Sequence, residues 1–201
     1  MIRVLLAEDE EMIRDALVSL LDREPDLDVV AVAADGSAAV EQARAYRPDV
    51  AVVDLQMPGL EGLQVVTELG RVLPSCPVVI LTSHGRPLVL RRALASGARG
   101  FLAKGAPGAA LADVIRRVRE GHRYVDPLLA ADALTAPPSP LTPRETEVLA
   151  AAGTDRPVRE VARALFLSPG TVRNYLVAAT RKLDGRNRSD AYRRARDNGW
   201  I

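Results

Sequence analysis

Cysteine is almost absent from this chain, since Cys76 is the only one among its 201 residues. One cysteine excludes an intrachain disulfide and a metal site built from several thiolates. Aromatic residues amount to only 3% of the sequence, so the cores must be built mainly from Ala, Val and Leu. No apolar run approaches the roughly 18 residues that a membrane-spanning helix needs. We therefore predict no membrane-spanning helix.

The start of the sequence also lacks the features of a signal peptide. The apolar segment 2–7 is short, and it runs directly into four acidic residues at positions 8–11. A secretory signal needs a longer apolar region and a basic start. We expect a cytoplasmic protein with no membrane partner.

A strong overall charge is missing as well, with 27 basic and 26 acidic residues. The balance changes along the chain: residues 1–121 contain 14 basic and 17 acidic residues, whereas residues 122–201 contain 13 and 9. The resulting net charges of −3 and +4 suggest two domains with different partners. The basic half is the candidate for binding nucleic acid.

The first 120 residues alternate between short apolar runs and helix-like stretches. Strands that are apolar on both faces and alternate with helices are typical of a parallel sheet covered on both sides. Five such units predict a doubly wound, five-stranded, flavodoxin-like α/β domain over residues 1–120. The predicted strands are Ile2–Ala7, Leu27–Ala33, Asp49–Asp54, Val78–Thr82 and Gly100–Ala103.

The alternation stops after residue 120. Residues 121–140 end in a proline-rich stretch, which predicts an extended linker. The pattern over 141–201 is helical and predicts an all-α domain of four helices. Thr142 is followed by Pro143 and Glu145, the spacing of a capping box. Ser168 is predicted to cap the third of these helices, which has Pro169 at its first position.

Three carboxylates follow predicted strands: Glu8 and Asp9 follow the first, and Asp54 ends the third. Because sites in open α/β sheets form at the carboxyl ends of the strands, these side chains should converge. Mg²⁺ prefers such oxygen ligands and relieves the repulsion between them. Aspartate is also a phosphoryl acceptor in some enzymes.

Two further strand ends supply groups that suit phosphate. Thr82 closes the fourth predicted strand and Lys104 follows the fifth. A hydroxyl donor and an ammonium beside a metal are what in-line phosphoryl transfer to a carboxylate requires. A strand-end aspartate taken singly is usually a helix cap or a solvated turn residue, so the prediction depends on all five positions together.

Residues 1–120 contain four motifs: the acidic pair Glu8 and Asp9, then VVDLQMPG, ILTS and GFLAKG. In these motifs and in their order, residues 1–120 resemble the receiver domains of response regulators. The resemblance implies that Asp54 is the phosphoacceptor and that Glu8, Asp9 and Asp54 bind Mg²⁺. It implies further that Thr82 and Lys104 bind the phosphoryl group. Phe101 would be the aromatic switch residue, whose side-chain rotamer changes when Thr82 moves. The phosphate donor implied is a histidine kinase.

The third helix of the second domain carries groups that can read DNA. A recognition helix presents residues near its N-terminus to base edges, and Arg and Asn pair with guanine and adenine. The core-facing stripe is predicted to be Val172, Leu176, Ala179 and Leu183. The candidate DNA-binding residues are Ser168, Thr171, Arg173, Asn174, Val177, Arg181, Lys182 and Arg188. Residues 141–201 contain 12 basic and 7 acidic residues, which suits a polyanion.

The segments LTPRETEVL, LSPGTVRNYL and RNRSDA resemble the LuxR-type helix-turn-helix of NarL/FixJ response regulators. TVRNYL and the closing GW resemble the subgroup that includes desaturase regulators of the DesR type. The sequence departs from the family in two places: residues 155–158 read DRPV, and Asp184 replaces the usual glycine. The resemblance implies a transcription regulator that is not a turnover enzyme, with stoichiometric phosphorylation and at most autodephosphorylation.

The mechanism we expect is a population shift in which phosphorylated Asp54 favours a homodimer that binds a palindromic promoter site. Two alternatives stay open. One is a transcription factor with a vestigial receiver, controlled by a ligand or by concentration, against which the intact acidic site argues. The other is a Mg²⁺-dependent phosphatase, for which the sequence offers no evident general acid or substrate pocket.

Overall fold

The computed structural model describes residues 1–83, 87–135 and 138–201. The chain divides into two compact units, the first lying within residues 1–131 and the second containing residues 132–201. Within the described ranges, no helix has the length and hydropathy needed to cross a membrane.

The first unit is built on one parallel sheet, whose described strands run in the order β2-β1-β3-β4-β5-β6. Apart from Asp54 and Thr82 at their ends, the central strands carry buried aliphatic side chains on both faces, as expected where helices cover both sides. The strands are β1 (Ile2–Ala7), β2 (Leu27–Ala33), β3 (Val50–Asp54), β4 (Val78–Thr82), β5 (Gly100–Ala103) and β6 (Tyr124–Val125).

Five helices of this unit follow the strands β1 to β5, where the sequence has its helix-like stretches. Two of them, the first and the fifth, pack on one face of the sheet, where Leu21, Leu111 and Ile115 join the strand residues in one buried cluster. The helices are α1 (Glu11–Leu21), α2 (Gly36–Tyr46), α3 (Gly62–Val72), α4 (Pro87–Ala95) and α5 (Gly108–Arg119).

The prediction of a five-stranded sheet is corrected by β6. Tyr124 pairs with Gly100, and Val125 pairs with Phe101, so β6 adds a sixth strand beside β5. The amide of Asp126 continues this pairing by donating to the Phe101 carbonyl at 2.9 Å. A strand of two residues is too short to show an alternating pattern, which is why sequence periodicity did not reveal it.

A helix also lies in the stretch for which the sequence predicts an extended linker. Helix α6 (Pro127–Thr135) begins after Asp126, whose carboxylate accepts the amide of Leu128 at 2.9 Å. An acidic cap followed by proline is a start signal for a helix, so this element could have been found from the sequence. Residues 136 and 137 of the predicted linker lie outside the described residues.

The second unit contains the four helices that the sequence predicts: α7 (Pro143–Ala152), α8 (Val158–Ala164), α9 (Pro169–Lys182) and α10 (Arg188–Asp197). The predicted capping box is confirmed, because Glu145 donates its amide to Thr142 Oγ1 and accepts the Thr142 amide. Ser168 likewise caps α9 by accepting the Thr171 amide at 3.0 Å. The predicted core stripe of α9 is buried in one hydrophobic cluster with α7, α8 and α10.

Candidate functional site

The three acidic residues from separate parts of the sequence lie together at the carboxyl ends of β1 and β3. Glu8 and Asp9 follow β1, and Asp54 ends β3. One oxygen from each carboxylate lies within 4.8 Å of the other two. Glu8 and Asp54 are buried, whereas Asp9 is exposed, so the cluster opens to solvent at Asp9.

Lys104 reaches into this cluster from the end of β5. Its ammonium lies 2.8 Å from Glu8 Oε2 and 3.2 Å from Asp54 Oδ2. The position of Lys104 is fixed by its backbone, because its amide donates to the Thr82 carbonyl at 2.8 Å. Thr82 is itself buried at the end of β4. All five positions predicted from the strand ends therefore lie along one edge of the sheet.

Burial and charge change the protonation of these groups. Burial raises the pKa of Glu8 above its ordinary value, although the hydrogen bond from Lys104 opposes this. Burial also raises the pKa of Asp54, against the attraction of the Lys104 charge. For Lys104, burial lowers the pKa, but the hydrogen bond to Glu8 and the charge of Asp54 outweigh it and the net shift is upward. Lys104 is thus held as a cation between two carboxylates.

The donor set of this cluster fits a hard divalent cation. Mg²⁺ takes oxygen ligands and commonly uses only a few carboxylates. Among the described residues, Glu8 Oε2 is a buried atom that makes no hydrogen bond, although the Lys104 ammonium is paired with it. Such an oxygen has capacity left for a metal. Glu8, Asp9 and Asp54 could therefore hold Mg²⁺.

Arg14 contributes to the acidic site, and sequence reasoning missed it. From α1 its guanidinium donates to the carbonyl of Glu8 at 2.8 Å and to that of Asp9 at 3.3 Å. These bonds fix the turn from which both acidic side chains project. Arg14 was missed because it contacts main-chain oxygens, which no residue pattern reveals. The sequence signal for it was an arginine about one and a half helical turns after the acidic pair.

Phe101 lies on β5, fully buried. It pairs with Ile80, and Thr82 pairs with Ala103 two residues further along. Because alternate residues of a strand share a face, Phe101 and Thr82 are diagonal neighbours on the same face of the sheet. This placement is compatible with a switch role, which stays a prediction.

The second candidate site is the exposed side of α9. Arg173, Asn174, Val177 and Arg181 are exposed, opposite the buried stripe of the same helix. At the start of the helix, the Ser168 and Thr171 hydroxyls lie 2.8 Å apart. A basic face with a capped N-terminus can dock in a DNA groove, where amides and arginines meet phosphate.

Lys182 and Arg188, which are predicted to contact DNA, bond to other parts of the domain. The Lys182 ammonium donates to Glu145 Oε2 at 2.8 Å and so joins α9 to α7. The Arg188 guanidinium donates to the carbonyls of Thr154 and Arg156, at 2.8 and 2.9 Å. These bonds order the 155–158 segment that departs from the family pattern. Both side chains are therefore engaged within the domain.

Two known protein families match different parts of this chain. The family described as the response regulator receiver domain matches residues 4–116, and the luxR family of bacterial regulatory proteins matches residues 139–195. The transcriptional regulatory protein DesR of Bacillus subtilis is 39% identical over the full length of both chains. The response regulator RamR of Streptomyces coelicolor is 38% identical, with 100% of this chain and 98% of RamR covered.

A solved structure of similar length supports the same assignment. The response regulator ChrA, from a heme-sensing two-component system, is 36% identical and has a TM-score of 0.60, with 100% of this chain and 98% of ChrA covered. With a parallel α/β receiver and a helical DNA-binding domain, this protein is in the class of transcriptional regulators. The chain belongs to the two-component response regulators that join a receiver domain to a LuxR-type helix-turn-helix.

Proposed function

We propose that Asp54 accepts a phosphoryl group from a histidine kinase, and that this modification controls dimerisation and promoter binding. The observation that carries the proposal is the meeting of Glu8, Asp9, Asp54 and Lys104 at one edge of the sheet. With a histidine kinase and promoter DNA as partners, the protein would act in the cytoplasm.

The residues of the pocket divide the work of the transfer. An Asp54 carboxylate oxygen forms a bond to phosphorus while the bond between phosphorus and the donor breaks. Glu8, Asp9 and Asp54 would hold Mg²⁺, which when bound neutralises their charge and that of the phosphoryl oxygens. Lys104 lies 3.2 Å from Asp54 and can pair with the phosphoryl group. Thr82 can donate its hydroxyl to a phosphoryl oxygen.

DNA recognition is assigned to the exposed side of α9. Arg173, Asn174 and Val177 would face the bases, and Ser168, Thr171 and Arg181 would meet phosphates. Lys182 and Arg188 act by positioning, as their contacts with Glu145 and the 154–156 backbone indicate. A two-fold homodimer would read a palindromic site with half-sites about one helical turn apart.

The test is the intact mass after incubation with Mg²⁺ and acetyl phosphate. We expect one phosphoryl group on the wild type and on Asp22→Asn, which changes an exposed carboxylate outside the cluster. Asp54→Asn should gain none. Phosphorylation of Asp54→Asn would refute the assignment of the acceptor.

Two further outcomes separate the alternatives. An unmodified wild type that binds DNA equally well with and without its kinase would indicate a vestigial receiver. Sustained release of phosphate from a phosphomonoester would indicate a phosphatase, whereas a single stoichiometric transfer supports the regulator. Stronger DNA binding and dimerisation after modification complete the expected result.

A further inference from the structure

Five helices in the described part of the chain end with the same pair of hydrogen bonds. In each, the second residue past the helix adopts a left-handed backbone, and the next amide bonds back five residues, as in a Schellman motif. Glycine is usual at the left-handed position because it has no Cβ. The residues there are Gly97 after α4, Gly121 after α5, Phe166 after α8, Asp184 after α9 and Gly199 after α10.

Phe166 is the unexpected member of this set. At the end of α8 its φ is +53°, a conformation that bulky side chains adopt at a cost. Its side chain gains nothing in return within the fold, because the residue is 96% exposed. A residue chosen for stability alone would be glycine or asparagine. We therefore expect the aromatic ring to contact another molecule.

The surroundings of Phe166 carry positive charge. Arg163 is exposed in the last turn of α8. Arg144, on α7, donates its guanidinium to the carbonyl of Leu165 at 3.3 Å, so it lies against the same turn while also pairing with Glu147. Ser168, the cap of α9, follows two residues after Phe166. An exposed apolar ring thus lies in the turn that precedes the helix assigned to DNA, and the exposed Arg163 lies three residues before it.

We propose that the turn 165–167 is a second DNA contact, in which Phe166 packs on the sugar–phosphate backbone beside the groove that α9 enters. The apolar face of a deoxyribose suits the ring, and a neighbouring phosphate suits Arg163, since Arg144 is already engaged by Glu147 and the Leu165 carbonyl. This inference rests on the proposed docking of α9. A contact of this kind is independent of base sequence, since the backbone is the same at every site.

The test uses a 30-base-pair duplex of random sequence, because a backbone contact must act on any DNA. Affinity is measured by fluorescence anisotropy at several salt concentrations for the full chain. Phe166→Gly should weaken binding about tenfold, the equivalent of burying one phenylalanine side chain. Its salt dependence should stay unchanged, because no charge is removed. Arg163→Gln should lower the slope of log affinity against log salt by about 0.9.

Asp184→Gly is the matched control, since it places glycine at the same motif of the next helix. Neither glycine variant should lower the midpoint of unfolding, and Asp184→Gly should not weaken DNA binding. Phe166→Asn, which also tolerates the left-handed backbone, should repeat the loss of affinity.

The result that would overturn the proposal is a Phe166→Gly protein that binds the duplex like the wild type. A partner protein would then be the remaining explanation for the exposed ring. Failure of the α9 assignment gives a different result: Arg181→Met would leave the salt dependence unchanged while Phe166→Gly still weakened binding.

Discussion

The ion pair between Lys182 and Glu145 should stabilise the helical domain and contribute nothing directly to DNA binding. Glu145 is almost fully buried, where it also completes the capping box of α7. Burial raises the pKa of Glu145, but the Lys182 hydrogen bond and the Thr142 amide outweigh it and the net shift is downward. The carboxylate is therefore charged, and Lys182→Met would leave that charge without its cation.

The expected cost follows from the burial of the two partners. A hydrogen bond between charged groups is worth about 1.5–3 kcal/mol when water is excluded. The Lys182 side chain is 34% exposed, so water replaces part of the lost interaction, and the Thr142 bonds to Glu145 remain. We expect Lys182→Met to lower the free energy of unfolding by about 1–2 kcal/mol.

Trp200 gives a direct assay of this domain in the full chain. It is the only tryptophan in the sequence and packs against the hydrophobic cluster of the helical domain. Urea denaturation followed by tryptophan fluorescence therefore reports the helical domain without a contribution from the receiver. The midpoint should fall for Lys182→Met while the slope with urea stays unchanged.

Arg181→Met is the matched comparison, because it removes an exposed cation from the neighbouring position. It should leave the urea midpoint unchanged and lower the salt slope of DNA binding by about 0.9. Lys182→Met should lower the urea midpoint and leave the salt slope of DNA binding unchanged. A Lys182→Met protein of unchanged stability and reduced salt slope would refute our reasoning and restore Lys182 as a phosphate contact.

Substitutions at three further sites, two of them with a comparison variant, test other contacts. Arg14→Ala should weaken Mg²⁺ binding roughly tenfold by isothermal titration calorimetry, since it frees the acidic turn, whereas Met12→Ala on the same helix should not. Gly62→Ala should destabilise the receiver by about 1–3 kcal/mol in urea melts followed by circular dichroism, because its Cβ would lie 2.3 Å from the main-chain carbonyl oxygen of Asp54. Gly70→Ala, with open space at its Cβ, should instead stabilise α3 by up to about 1 kcal/mol. Asp190 has its pKa lowered to about 2, first by the Arg186 amide and then by Arg193, from an ordinary 3.8. Its contribution to stability is present above pH 3.8 and lost as the pH falls toward about 2, so Asp190→Asn should flatten the pH dependence of unfolding in that window.

The acidic cluster could be predicted because it depends on a rule about whole sheets. Parallel strands place their carboxyl ends on one edge, so any group at a strand end is brought near the others. Glu8, Asp54 and Lys104 are 46 and 50 residues apart, yet their strand positions alone predict their meeting. The roles of these residues, the DNA contacts and the domain boundaries stay predictions.

Other contacts could not be predicted because they join groups with no common pattern. Lys182 and Glu145 are 37 residues apart, on helices whose relative rotation the sequence does not specify. From the sequence, Glu145 is a capping residue of α7 and Lys182 is an exposed residue of α9. Arg188 bonds to main-chain carbonyls, which carry no residue identity. Periodicity reveals which face of a helix is buried, but not which polar group lies opposite it.

The pairing of β6 with β5 has a practical consequence for dividing this protein. A strand at the margin of a sheet presents unpaired amides and carbonyls, to which the strand of another molecule can add. Tyr124 and Asp126 donate their amides to Arg99 and Phe101 and so cover part of that margin. A receiver fragment cut at residue 120, where the βα pattern ends, would leave β5 bare and prone to self-association. A fragment that continues past residue 126 would keep it covered.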